Sequence, residues 1–155
     1  GIDLDLVPAE LTYGLERLTA FLQNKSSVYD IEWAPGFSYG GVRLADEQQF
    51  SVYNFEMADV ATLWKMFELC EGECQRLLNL WAGYQDKQRF PVLPTYDYVL
   101  KCSHLFNLLD SRGAISVTER VAVIGRVRRL ALGVARLWLE REREPEPAEA
   151  QEVAG

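Results

Sequence analysis

The sequence has few cysteines and no excess of positive charge. Cys70, Cys74 and Cys102 are the three cysteines in 155 residues. An odd count without regular spacing excludes a disulfide framework and predicts a reducing, cytoplasmic environment. The formal net charge is −7, which argues against binding RNA or an anionic membrane by bulk electrostatics alone.

Long apolar runs are also missing. None approaches the ~20 residues that cross a bilayer, so we expect no membrane partner, and no signal peptide opens the chain. The sequence begins at Gly1, without a methionine and inside a strand-like alternation at residues 2–6. This start predicts a fragment or a processed piece of a longer protein.

The composition suits a globular domain, because 48% of the residues are hydrophobic and 25% are charged. Strand-like and helical segments along the chain predict an α+β fold that is mostly helical. Residues 10–13 alternate like a strand, and Gly14 ends it. Leu11 and Tyr13 are expected to pack away from the face that Glu10 and Thr12 share. Helical spacing then begins at Leu15 and is predicted to continue to about residue 24.

Residues 25–57 show no sustained helical period and predict a long ordered connection, with short strands at 28–33 and 49–53. Asp59 is predicted to cap a helix of about six turns that ends near Trp81. Residues 82–94 form a predicted polar loop. A third helix is predicted over residues 95–110, with a C-terminal cap at Gly113. The side chains expected to be buried in it are those of Tyr96, Val99, Leu100 and Phe106.

Ser116-Val117-Thr118-Glu119 is a capping box, in which the serine and the glutamate satisfy free N–H groups reciprocally. The last helix is predicted to run from there to about residue 143. Residues 144–155 are acidic, rich in proline and alanine, and predicted to be disordered.

The junction Glu10-Leu11-Thr12-Tyr13-Gly14-Leu15-Glu16-Arg17 resembles motif 3 of the class II aminoacyl-tRNA synthetases, a strand that leads into a helix. Further segments resemble the bacterial-type glycine–tRNA ligase alpha subunit in the same order. They lie at residues 27–30, 38–40, 53–56, 94–97 and 106–120. The resemblance covers the chain to about residue 143. Over this range the chain is similar to the C-terminal half of that subunit.

The resemblance implies a division into three parts. Residues 1–57 would complete a class II catalytic domain and contribute remnant antiparallel strands of its sheet. Residues 58–143 would form a helical domain or bundle, and residues 144–155 an acidic tail. Motifs 1 and 2 of the class II enzymes are not found in the sequence, so we expect the chain alone to be inactive.

Arg17 is the strongest catalytic candidate. The resemblance implies that it binds the γ-phosphate of ATP, with Gly14 allowing close approach of the backbone. The other interpretation is a solvated arginine paired with Glu16 or Asp30. Glu10 is the candidate for binding the glycine ammonium group, and Thr12 for limiting the pocket, although both also suit the surface of a sheet edge.

The resemblance further implies Mg²⁺, for which no ligands are assigned, and tRNA(Gly) and a beta subunit as partners. For the full subunit it implies an alpha–alpha dimer within an α2β2 heterotetramer in the cytoplasm. A different class of function is also open: a helical module without catalysis that binds the beta subunit or tRNA.

Two further groups of side chains have alternative interpretations. Arg120, Arg126, Arg128 and Arg129 suit a charged helix face paired with nearby acids, or a contact with the beta subunit or tRNA. Cys70 and Cys74 are one helical turn apart and suit the core better than a zinc site, so no metal is assigned.

Overall fold

The computed structural model describes residues 5–142. The predicted strand at residues 2–6 lies mostly outside this part, and the predicted disordered tail lies entirely outside it. The chain divides into two compact units, Gly1–Tyr53 and Asn54–Gly155. The predicted class, a mostly helical α+β fold, is confirmed.

In the first unit, residues 5–14 form an irregular segment, and helix α1 follows at Leu15–Leu22. The predicted strand at residues 10–13 is wrong, because no strand of the described part pairs with this segment. A strand needs a neighbour for its N–H and C=O groups. Leu11 and Tyr13 are 84% and 69% exposed rather than packed.

A short hairpin forms the sheet of the first unit. After a 3-10 turn at Val28–Asp30, strand β1 at Glu32–Ala34 pairs antiparallel with β2 at Phe37–Ser38. The two-residue connection contains Gly36 at φ 79°. Proline followed by a glycine with positive φ is the pattern of a type II turn. The predicted strand at residues 28–33 therefore overlaps β1 only in part.

Helix α2 at Tyr39–Val52 occupies the segment where we predicted connection and a strand at residues 49–53, and that prediction is wrong. The helix begins at Ser38, whose side chain accepts a hydrogen bond from the N–H of Gly41 at 3.0 Å. A π-helical segment, Tyr53–Met57, follows it. None of the α2 residues is buried, so the helix lacks the apolar stripe that sequence patterns reveal.

The second unit is a bundle of three helices: α3 at Val60–Leu80, α4 at Val92–Ser111 and α5 at Val117–Glu142. Two 3-10 turns, Trp81–Gly83 and Lys87–Arg89, connect α3 to α4. Each helix contributes to one core. Fully buried members of this core include Leu63, Phe67, Cys74, Cys102 and Leu109.

The predicted caps of the bundle are confirmed. The Asp59 carboxylate accepts a hydrogen bond from the N–H of Thr62 at 2.7 Å, and Gly113 has φ 64° after α4. Glu119 accepts from the N–H of Ser116 at 3.0 Å, and Ser116 Oγ accepts from the N–H of Glu119 at 3.3 Å. These interactions satisfy the free ends of helices locally.

Helix α4 starts three residues earlier than predicted, and Pro94 lies in its first turn. Proline is tolerated there because the N–H that it lacks has no partner within the helix. Val99 and Phe106 are buried as expected. Tyr96 and Leu100 are 45% and 49% exposed, so their predicted burial is wrong.

Candidate functional site

Arg17 and Gly14 are adjacent at the start of α1. Gly14 is the N-cap residue, and no side chain caps the helix there. A Cβ placed on Gly14 would lie 3.9 Å from the Cγ of Arg17, so the arginine stem runs alongside this glycine. Free N–H groups at a helix start attract anions, and the guanidinium adds a permanent charge beside them.

The alternative pairing of Arg17 with Glu16 or Asp30 does not form. Among residues 5–142, Arg17 has no carboxylate within 4.0 Å, whereas Arg43 has Asp46 at 3.3 Å. Arg17 is exposed. The arginine that the sequence selected is therefore accessible for a ligand.

Glu10 and Thr12 interact directly on the segment before α1. The hydroxyl of Thr12 donates a hydrogen bond to a carboxylate oxygen of Glu10. Both side chains are exposed. The bond involves one oxygen of the carboxylate, and the second oxygen of a carboxylate can also accept a hydrogen bond, for example from an ammonium group.

A separate groove of about 490 Å³ lies on the other side of α1. It is lined by Glu16, Thr19, Trp33 and Tyr39 among others. At 100° per residue, Arg17 lies on the opposite side of the helix from Leu15 and Thr19, which face this groove. The structure thus separates the groove from the predicted ATP contact. The only signal of this groove in the sequence was the high density of aromatic residues at positions 25–57.

Gly40 is required by a close approach in the first unit. A Cβ on Gly40 would lie 2.9 Å from the backbone oxygen of Tyr29. The Tyr29 hydroxyl in turn donates to Glu47 on α2, and this hydrogen bond raises the pKa of the phenol. The close approach of Gly40 to Tyr29 places the segments at residues 27–30 and 38–40 next to each other.

Of the four arginines that the sequence analysis considered on α5, two are paired with acids from other helices. Arg126 Nε donates to Glu71 Oε1 of α3 at 2.9 Å, and Arg120 Nη2 lies 3.0 Å from Asp110 Oδ2. The Arg126 hydrogen bond holds the pKa of the Glu71 carboxyl below its usual range. The interpretation as a paired charged face therefore holds for these two. Within the described chain, Arg128 and Arg129 form no such pair.

The cysteines behave as core residues. Cys74 and Cys102 have no exposed surface, and their thiols lie 3.5 Å and 4.0 Å from the backbone oxygens of Thr95 and Phe67. Burial raises the pKa of the Cys74 thiol to about 11 and that of Cys102 to about 12. Thiols that stay protonated are poor nucleophiles and poor metal ligands. In residues 5–142, no three His, Cys, Asp or Glu side chains cluster around a metal-sized space.

Comparison with known families extends over nearly all of the chain. The family described as glycyl-tRNA synthetase alpha subunit matches residues 1–143. The chain belongs to this family. Membership places it among the aminoacyl-tRNA synthetases, which are ligases of protein biosynthesis, with glycine as the amino acid. The matched range includes Glu10, Thr12, Gly14 and Arg17. In the described part, no helix has the length and apolarity needed to span a membrane.

Proposed function

We propose that this chain supplies the motif 3 region of a class II glycyl-tRNA synthetase. The complete enzyme activates glycine with ATP to glycyl-adenylate and transfers glycine to tRNA(Gly). One observation carries the proposal: Arg17 lies beside the uncapped N-terminus of α1 at Gly14, within the range that the family matches.

Arg17 is assigned to the γ-phosphate of ATP. Its guanidinium can donate two parallel hydrogen bonds to phosphate oxygens, and it neutralises charge as pyrophosphate leaves. The first N–H groups of α1 have no side-chain partner at Gly14, which favours the same anion. Gly14 contributes by having no side chain on this approach.

Glu10 is assigned to the glycine ammonium group and Thr12 to the wall of the pocket. The hydrogen bond from Thr12 to Glu10 supports this assignment, because it holds the carboxylate in one orientation. A small pocket that rejects larger amino acids needs a fixed wall, and a short hydroxyl side chain bonded to its neighbour provides one.

Magnesium would accompany the nucleotide. This ion is commonly held by phosphate oxygens and one or two carboxylates rather than by a cage of protein ligands. Within residues 5–142 no set of three candidate ligands clusters, so we assign no residue of this chain to the ion. Its chemistry would be to neutralise charge on the phosphates.

Membership of the family supports a proposal for the assembly. We expect the alpha subunit to pair with itself and to work with a beta subunit as an α2β2 heterotetramer in the cytoplasm, with tRNA(Gly) as the second substrate. The 155-residue chain alone should not form glycyl-adenylate, because motifs 1 and 2 are absent from its sequence. Glycine-dependent ATP–pyrophosphate exchange by the purified chain would contradict this.

The decisive experiment replaces Arg17 in a complete alpha–beta enzyme that contains this region. Arg17→Ala is expected to reduce glycine-dependent ATP–pyrophosphate exchange by at least about a hundredfold, with unchanged helical content. Arg43→Ala is the matched control, since Arg43 is an exposed arginine of the same unit. Exchange at the wild-type rate in Arg17→Ala would exclude the assigned role.

A further inference from the structure

The groove of about 490 Å³ beside α1 has two walls that hydrogen bonds hold together. One wall is α1, and the other contains β1 and the residues next to it in the first unit. The side-chain amide of Gln23 donates to the backbone oxygen of Glu32 at 2.9 Å and accepts from the N–H of Glu32 at 2.8 Å. The N–H of Tyr39 donates to the backbone oxygen of Ile31 at 2.7 Å. These bonds fix β1 and Tyr39 in place around the α1–β1 groove.

Two aromatic rings and a carboxylate meet in this groove. The rings of Trp33 and Tyr39 have centroids 5.7 Å apart at an interplanar angle of 43°, and Trp33 is 53% exposed. The Tyr39 hydroxyl donates to Glu16 Oε1 at 3.4 Å, which places the carboxylate of Glu16 beside this ring. The faces of aromatic rings are electronegative. The rings and the carboxylate therefore attract the same kind of ligand.

The charged residues that line the groove have one sign. They are Glu16 and Glu32, and among residues 5–142 no lysine, arginine or histidine lines it. No described cation lies within 4.0 Å of either carboxylate. A cation between the rings and the carboxylate would be attracted by both. An anion, such as a nucleic-acid phosphate, would meet only negative charge here.

A neighbouring arginine shows which cation suits these rings. The guanidinium carbon of Arg43 lies 5.9 Å from the centroid of Trp33, although Arg43 pairs with Asp46 and does not line the groove. A guanidinium is planar and weakly hydrated, so it can stack on a ring while its N–H groups donate to a carboxylate. An ammonium group is more strongly hydrated and loses more hydration free energy on entering an aromatic groove.

We propose that the α1–β1 groove binds a guanidinium group, which stacks against Trp33 and Tyr39 and donates hydrogen bonds to the carboxylate of Glu16. The group belongs either to a free guanidino compound or to an arginine side chain of a protein. Arg17 lies on the opposite side of α1, so this site is separate from the ATP contact. Binding is measured on the chain itself, without glycyl-adenylate formation, so its failure would leave the assignment of Arg17 unaffected.

The test titrates the isotope-labelled full chain with ethylguanidinium, with ethylammonium and with ethylurea, a neutral molecule of nearly the same shape as ethylguanidinium. The indole N–H resonance of Trp33, identified by its loss in Trp33→Leu, should shift saturably with ethylguanidinium. The Kd should be at least about tenfold lower than for ethylurea and about threefold lower than for ethylammonium. Equal binding of ethylguanidinium and either other compound, or a shift that does not saturate, would overturn the proposal.

A peptide distinguishes the two sources of the group. Acetyl-Gly-Arg-Gly-amide presents the guanidinium on a peptide backbone, and the same peptide with citrulline in place of arginine is its neutral control. Tighter binding of the arginine peptide than of ethylguanidinium would assign the group to a protein, and equal or weaker binding would assign it to a free compound. Equal binding of the arginine and citrulline peptides would contradict the proposal.

Matched variants separate the groove from the general negative charge of the chain. Glu16→Gln should weaken ethylguanidinium binding at least about fivefold, whereas Asp30→Asn, at an exposed carboxylate outside the lining, should leave it unchanged. Trp33→Leu, followed through the backbone amide of Tyr39, should weaken binding as well. Phe37→Leu is its control, because Phe37 is 66% exposed and lies outside the lining. Equal losses within either pair would refute the site.

Discussion

Arg112 donates its Nε hydrogen to the backbone oxygen of Ala58, 3.0 Å away. Its Nη1 also donates to the backbone oxygen of Phe55. Arg112 follows the last residue of α4, whereas Ala58 immediately precedes the cap of α3 and is almost fully buried. One side chain thus satisfies two carbonyl groups that the end of the π-helical segment leaves without helical partners.

Replacing Arg112 should destabilise the bundle. Hydrogen bonds from a charged donor contribute more than neutral ones, and a buried carbonyl left unpaired costs free energy. We expect Arg112→Ala to lower the free energy of unfolding by about 1–3 kcal/mol in urea titrations. Arg128→Ala is the control, with a change below about 0.5 kcal/mol. Equal effects of the two changes would show that the carbonyl contacts contribute nothing.

Alanine substitutions at two glycines should have opposite effects. A Cβ at Gly40 would meet the Tyr29 backbone oxygen at 2.9 Å, whereas one at Gly72 meets nothing within 4 Å. Gly40→Ala should therefore weaken protection of amides in the first unit against hydrogen exchange. Gly72→Ala in α3 should stabilise the second unit by roughly 0.5–1 kcal/mol, since alanine favours helix. Unchanged protection in Gly40→Ala would contradict the close approach.

The ion pair between Glu71 and Arg126 predicts a pH dependence. Because the folded pKa of Glu71 is lowered, the pair stabilises the fold above the unfolded glutamate pKa of about 4.3. This stability is lost as the pH falls through the lower folded value. Glu71→Gln should remove roughly 1 kcal/mol at neutral pH and flatten the acid limb of the stability curve.

Glu56→Gln is the control for this measurement, because Glu56 is an exposed carboxylate of the same unit. Thermal unfolding between pH 3 and pH 7 distinguishes the two variants. If Glu56→Gln flattens the acid limb as much as Glu71→Gln does, the cross-helix pair is not the cause.

Glu10→Gln tests the glycine site in a complete enzyme. Loss of the negative charge should raise the KM for glycine roughly tenfold in the exchange reaction, with little change in the KM for ATP. Glu32→Gln, at an exposed carboxylate of the same unit, should change neither. A rise in the KM for ATP alone would assign Glu10 to the nucleotide instead.

Local signals in the sequence were reliable where the physical cause was local. Asp59 and Ser116 are helix caps, and Gly113 takes a positive φ, because each interaction involves residues at most four positions apart. Cys74 likewise lies in the core, as predicted. The predicted start of α4 was three residues too late, because a proline such as Pro94 suits both a loop and a first helical turn.

The sequence alone failed where the cause lies outside the segment. Helix α2 has two glycines in its first turn and buries no side chain, so neither propensity nor period revealed it. Residues 10–13 alternate like a strand, yet a strand needs a partner that the described chain does not provide. Tyr96 and Leu100 have the spacing of core residues but are about half exposed.

The sequence by itself determined the family and the mostly helical class, because ordered motifs and helix caps are read along the chain. Only the tertiary structure decided which charges are paired. Arg126 pairs with Glu71, which lies 55 positions away in the sequence. Arg128, two residues later, lines a cavity beside α4 instead. The physical reason is that a helix rotates by 100° per residue, so neighbours in sequence face different partners that only packing supplies.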